Sequence, residues 1–169
     1  MTDTTALQDD LARLQLQEQR LQLARFDADT AWTLGLALRD AAKARGVAVT
    51  IEIRIGEQTV FFHAMPGTAP VNADWARRKR NTSELMDESS YRVGRRLALD
   101  GGSLEAKLGV PTRDYAAHGG AVPLRVGGTR IGTVTVSGLP QRDDHGVVVE
   151  ALCATLGLPE DGFALDGRR

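Results

Sequence analysis

Val47, Val49, Ile51, Ile53 and Ile55 alternate with Ala48, Thr50, Glu52 and Arg54. A period of two sustained over β-branched residues describes a strand with one face in a core. Gly56-Glu57 follows at once and suits a two-residue hairpin turn with glycine in the first central position. That turn places Ile53 opposite Val60, Glu52 opposite Phe61 and Thr50 opposite His63. Phe61 and His63 then share the otherwise polar face. A large aromatic there predicts that this second face is covered too, by a helix or another subunit, so both residues are interface candidates.

A second hairpin is written in the run from His118 to Gly138, which holds six glycines. Glycine costs backbone entropy and supplies no packing side chain, so each must serve a turn or a close backbone approach. Gly127-Gly128 reads as the turn, and Gly132 as a bulge or close contact within the return strand. Thr133, Thr135 and Ser137 line one face of that strand, with Gly132, Val134 and Val136 on the other. His118-Gly119-Gly120 is left as a candidate site element.

Helical spacing accounts for most of the rest. Leu7, Leu11 and Leu14 predict an amphipathic helix over 5–19. Leu21-Gln22-Leu23 shifts to period two and predicts a short strand. Asp27 or Asp29 caps a helix over 28–45 that contains Trp32, Leu34, Leu36 and Leu38 and stops at Gly46. Asn72 or Asp74 caps a helix over 73–87, and another covers 89–99 before Gly101-Gly102. Ser103 caps one further turn, and Asp143 or Asp144 caps a last helix through Leu156. Two hairpins separated by helices favour an antiparallel sheet over a parallel βαβ fold. The expected architecture is a single α+β domain.

The 169 residues carry a formal net charge of −1, with 42% hydrophobic and 25% charged residues. That composition suits a soluble globular domain and gives no global attraction to nucleic acid or an anionic membrane. The N-terminal residues lack the basic and apolar segments of a secretory signal, no apolar run is long enough to span a bilayer, and the expected location is cytoplasmic. The lone Cys153 excludes an intramolecular disulfide and falls on the apolar side of its helix with Val149, Leu152 and Leu156.

Arg77-Arg78-Lys79-Arg80 is the strongest charge feature. Four consecutive positions fan round most of a helix, so at least one cation is pressed against protein, a subunit or an anionic ligand if Trp75 packs inward. The alternative is a solvated basic face. His63, His118 and His145 form no H-x-x-x-H or H-x-E pair, which leaves a zinc hydrolase without support. His118 can present an imidazole from an open loop, as a haem ligand or an acid-base group, whereas His145 beside Asp144 reads as part of a helix cap. Ser137-Gly138 lacks the G-x-S-x-G elbow of a serine nucleophile. Gly127-Gly128 lacks the lysine and helix start of a phosphate loop.

The runs His118-Gly119-Gly120, Pro123-Leu124 and Ile131 through Pro140, followed by Asp143-Asp144-His145, resemble the haem-degrading domain family of GlcG-like, HbpS-like and PduO C-terminal-domain-like proteins. Phe61 through Thr68, with Asn72, Trp75, Arg78-Lys79 and Ser89-Ser90-Tyr91, is similar to a branch of about this length. The resemblance covers 21–158, after an N-terminal helix over 1–20 and before a frayed tail over 159–169. It implies an antiparallel sheet of about five strands flanked by helices, assembly into homo-oligomers, and haem binding, degradation or sensing in some members. No ligand motif of the family matches a position here. On this reading His118, Gly119, Gly120, Trp75, Arg78 and Lys79 form a pocket for haem or another anionic planar molecule, with His118 on the iron. The rival reading is a non-enzymatic assembly module in which Phe61, His63, Trp75 and the basic run meet another protomer. An enzyme acting on a small anionic metabolite is the third.

Overall fold

A computed structural model describes residues 4–165. Helix α1 spans Thr4–Arg20 and α2 Ala28–Ala44; β1 (Thr50–Ile55) and β2 (Gln58–Ala64) form the first hairpin. Helices α3 (Pro70–Met86), α4 (Ser90–Asp100) and the short α5 (Leu104–Leu108) follow. The second hairpin is β3 (Ala121–Val126) with β4 (Thr129–Ser137), and α6 (Gln141–Leu156) closes the domain.

The sheet is antiparallel with strand order β2-β1-β4-β3. Among the described residues it has four strands where about five were expected. Leu21-Gln22-Leu23 contributes a single parallel bridge from Leu23 to Val126 beside β3, because α1 ends only at Arg20 and leaves too little chain for a ladder. Leu21 and Leu23 are nevertheless buried in the core.

One sheet face carries Ile51, Ile53, Val134 and Val136, packed beneath Leu34 and Leu38 of α2 and Val148 and Leu152 of α6. The other carries Thr50, Glu52, Thr133, Thr135 and Ser137, all buried under α3. The central strands β1 and β4 are therefore enclosed on both sides, one apolar and one polar.

The first hairpin differs from its expected register. Gly56-Glu57 does form the turn, with Ile55 opposite Gln58, but a bulge between Ile53 and Arg54 sets Phe61 opposite Ile53 and His63 opposite Ile51. Both residues thus move to the apolar side. Phe61 is 7% exposed, meets Trp32 edge-on, and occupies space that a Cβ at Gly35 would fill. Phe61 is therefore core, not interface, and Phe62 takes its place outside.

Helix α6 begins at Gln141, with Pro140 in the cap position, so Asp143 and Asp144 lie inside its first turn. Of the tail over 159–169, residues 166–169 lie outside the described residues, and the part before them is tied to the domain. Residues 160–162 form a 3₁₀ turn, Phe163 is buried, and Gln17 Nε2 donates to the Phe163 carbonyl at 2.6 Å. Among the described residues no helix is long and apolar enough to cross a membrane.

Candidate functional site

Helix α3 presents Ala76, Lys79, Thr82 and Ser83 to the protein interior, the three-and-four spacing of one helical face. The basic run therefore points one cation inward, as its fan requires. Lys79 is 4% exposed. Its Nζ donates to Asp144 Oδ2 at 2.6 Å and to the Val136 carbonyl at 3.4 Å. Asp144 also accepts from the backbone N–H groups of Leu139 at 3.0 Å and Gly138 at 3.3 Å. Burial pushes the Asp144 carboxyl pKa upward, opposed by Lys79 and those two donors. An ammonium has three protons, and the third on Lys79 has no protein acceptor among the described residues.

The remaining cations of the run hold a loop against α3. Arg77 pairs with Asp74 and Asp114, and Asn81 donates to the Asp114 carbonyl. Arg78 Nε and Nη2 both donate to the Thr112 carbonyl, at 3.1 and 2.6 Å. Ala116 N–H donates to Thr82 Oγ1 at 3.0 Å. On the sheet side, Arg80 pairs with Glu52. The basic face is thus internally partnered, and it delivers residues 112–118 to the side of Trp75.

Trp75 is half-buried. Arg78 stacks over its ring with the guanidinium carbon 4.3 Å from the centroid, and the His118 ring meets it edge-on at 5.3 Å. His118 is exposed, and no residue hydrogen-bonds its ring nitrogens among those described. Desolvation of the packed part of the ring, then the charges of Lys79 and Arg78, hold its pKa below the usual histidine value. It presents a neutral imidazole at neutral pH.

Gly119 and Gly120 serve the fold directly. A Cβ at Gly119 would overlap the Gln141 carbonyl, and one at Gly120 the Val136 carbonyl. Gly120 also has φ +134°, which side-chain-bearing residues rarely adopt. The pair lets the loop pass tightly across the end of β4 and the start of α6.

Two cavities meet at His118. One, of about 230 Å³, is polar and lined by Asn72, Trp75, Lys79, Ser137, Gln141 and Asp144. The other, of about 350 Å³, lies between α4 and the 102–117 loop and also reaches Arg78. The structure therefore gathers His118, Gly119, Gly120, Trp75, Arg78 and Lys79 around one spot, and leaves His63 at the far edge of the sheet. Asp144, Ser137, Gln141 and Thr112 escaped the sequence reading of the site. By sequence, Asp144 reads as a helix cap and Ser137 as part of a hydroxyl row on its strand. Their juxtaposition with Lys79 carries no local spacing signal.

His145 is not a cap residue. It is 1% exposed, its Nε2 lies 2.7 Å from Gln17 Oε1, and its ring packs 5.4 Å from Tyr91. Burial, then the charge of Arg142, lowers its pKa to about 3.

The profile of the family described as haem degrading protein HbpS-like matches residues 26–153. A protein of Azotobacter vinelandii named UPF0303 is 55% identical over 161 residues, covering 95% of this chain and 97% of that protein. The crystal structure of Ybr137w protein superposes with a TM-score of 0.81 at 30% identity, covering 87% of each chain. A structure described as a PduOC:heme complex gives 0.66 at 21% identity, over 76% of this chain and 94% of that one. At that identity the last shows a shared fold.

Proposed function

The chain belongs to the HbpS-like haem-degrading family, and on that premise we propose that it is a cytoplasmic protein that binds haem or another anionic planar molecule against His118. The observation that carries this reading is the unpartnered, neutral imidazole of His118 beside the Trp75–Arg78 stack. A neutral imidazole is an iron ligand, an indole offers a flat wall, and a guanidinium pairs with carboxylates such as propionates.

The donor set suits haem in part. His118 would hold the iron and Arg78 a propionate, and the bound group would supply redox and oxygen chemistry. Lys79 is committed to Asp144, so its role is to set the local charge and keep His118 deprotonated. The polar cavity of about 230 Å³ is smaller than typical ligand cavities of roughly 300–1,000 Å³. That cavity alone is too small to enclose a macrocycle. Titration with hemin should give a saturable Soret change that His118→Ala abolishes. Unsaturable binding, or an unchanged titration in the variant, overturns the assignment.

A second reading, assembly of several copies, is favoured by a different observation. Trp32 and Phe62 are 60% and 53% exposed beside β2, whose outer edge pairs with no strand among the described residues.

A further inference from the structure

We propose that the cavity between α4 and the 102–117 loop is a second binding site, adjoining the first at His118 and Arg78, for a monocarboxylate with a compact apolar body, its carboxylate paired with Arg78. The cavity measures about 350 Å³, within the range of small-molecule sites and toward its lower end. Leu97, Leu104, Val110 and Tyr115 are prominent in its walls. They belong to a small apolar cluster apart from the main core, so filling the space would extend a hydrophobic surface that the chain itself leaves incomplete.

The cavity is held open by its frame. The loop is fixed to α3 at Asp114 by Arg77 and Asn81, and at Ala116 by Thr82. On α4, Gly94 lies so close to the Ala117 carbonyl that a Cβ would overlap it. A loop fixed at these points cannot collapse onto Leu97 without breaking them, and a preformed pocket spares a ligand the cost of ordering it.

Charge selects the occupant. Arg78 is the one cation in the lining. The Thr112 carbonyl takes its Nε and one proton of Nη2. A guanidinium has five N–H donors, which leaves three for a carboxylate, both of those on Nη1 and one on Nη2. Glu105 stands exposed on the same rim and disfavours a second negative charge or an anionic body. One carboxylate on an uncharged apolar body meets both conditions. Arg78 is shared with the haem reading, so a propionate and this carboxylate compete for it, while the apolar walls of the cavity belong to this site alone.

Octanoate is a suitable probe, followed by NMR of the side-chain methyl groups. The expected result is saturable shifts at Leu97, Leu104 and Val110, with octanamide binding about tenfold to a hundredfold more weakly for want of a charge-assisted bond. Ala98→Phe at an exposed position of α4 that lines the cavity should abolish those shifts while leaving thermal unfolding unchanged. Arg78→Met should lower octanoate affinity to that of octanamide. Equal affinity for acid and amide, shifts elsewhere than in these methyls, or undiminished binding in Ala98→Phe overturns the proposal. Ala98→Phe keeps His118 in place, so a hemin titration of that variant reports on the haem reading independently.

Discussion

Lys79 of α3 and Asp144 of α6 form an ion pair at 2.6 Å with side chains 5% and 0% exposed, tying two helices together at the end of β4. Asp144 also receives the Gly138 and Leu139 N–H groups, so the same carboxylate fixes the turn that leads into α6. The pair is the floor of the polar cavity beside His118.

Removing one partner leaves the other buried and uncompensated. Asp144→Asn is expected to cost about 3–5 kcal/mol, read as a drop in the urea midpoint. Lys79→Met should fall in the same range or below it, because two backbone donors still serve Asp144. The double variant should be distinctly more stable than the sum of the two losses predicts. Strict additivity would show that the pair is energetically uncoupled.

His145 gives the fold an acid limit. Its pKa falls from 6.5 to about 3 on folding, so the unfolded chain binds its proton more readily. The stability from this neutral imidazole is complete above about pH 6.5 and is lost as pH falls from there toward 3. The difference is worth on the order of 4–5 kcal/mol. Denaturant unfolding from pH 7.5 to 4 should show this decline, and His145→Gln should flatten it. An equal slope in the variant would assign the loss to carboxylates instead.

The elements were legible wherever local chemistry sets them. Asp27 caps α2 through Thr30 N–H, Ser103 caps α5 through Ala106 N–H, and both hairpins turn where their glycines stand. The bulge after Ile53 was not legible, because it follows from the fit of Phe61 into the slot at Gly35, a contact between distant segments. The site divides in the same way. His118, Gly119, Gly120, Trp75, Arg78 and Lys79 were found by residue type and neighbourhood. Asp144 is 65 positions from Lys79, and Thr112 offers Arg78 only a backbone carbonyl, for which no side chain is a signal.

The glycines of the 118–138 run should separate by substitution. Gly120 has φ +134°, and a Cβ there would overlap the Val136 carbonyl. Gly120→Ala should therefore cost about 3 kcal/mol or more, through strain and a backbone clash. Gly127 has φ +57° and open space around it, so Gly127→Ala should cost only about 1–2 kcal/mol. Thermal melts of the two variants compare these directly. Similar losses would place the tight constraint of this run in the turn.

Assembly, where it occurs, should depend on the β2 edge. A free strand edge invites pairing with another copy, and here exposed Trp32 and Phe62 flank it on opposite faces of the sheet. Antiparallel β2–β2 pairing about a twofold axis would join two sheets and bring two such aromatic patches together. Phe62→Glu should then shift the mass measured by light scattering to that of a single chain without lowering the melting temperature of the fold. Phe61→Ala should instead destabilise each chain by about 3–5 kcal/mol, as a buried aromatic does. A wild-type chain that runs as a monomer, or an oligomer indifferent to Phe62→Glu, would remove β2 from the interface.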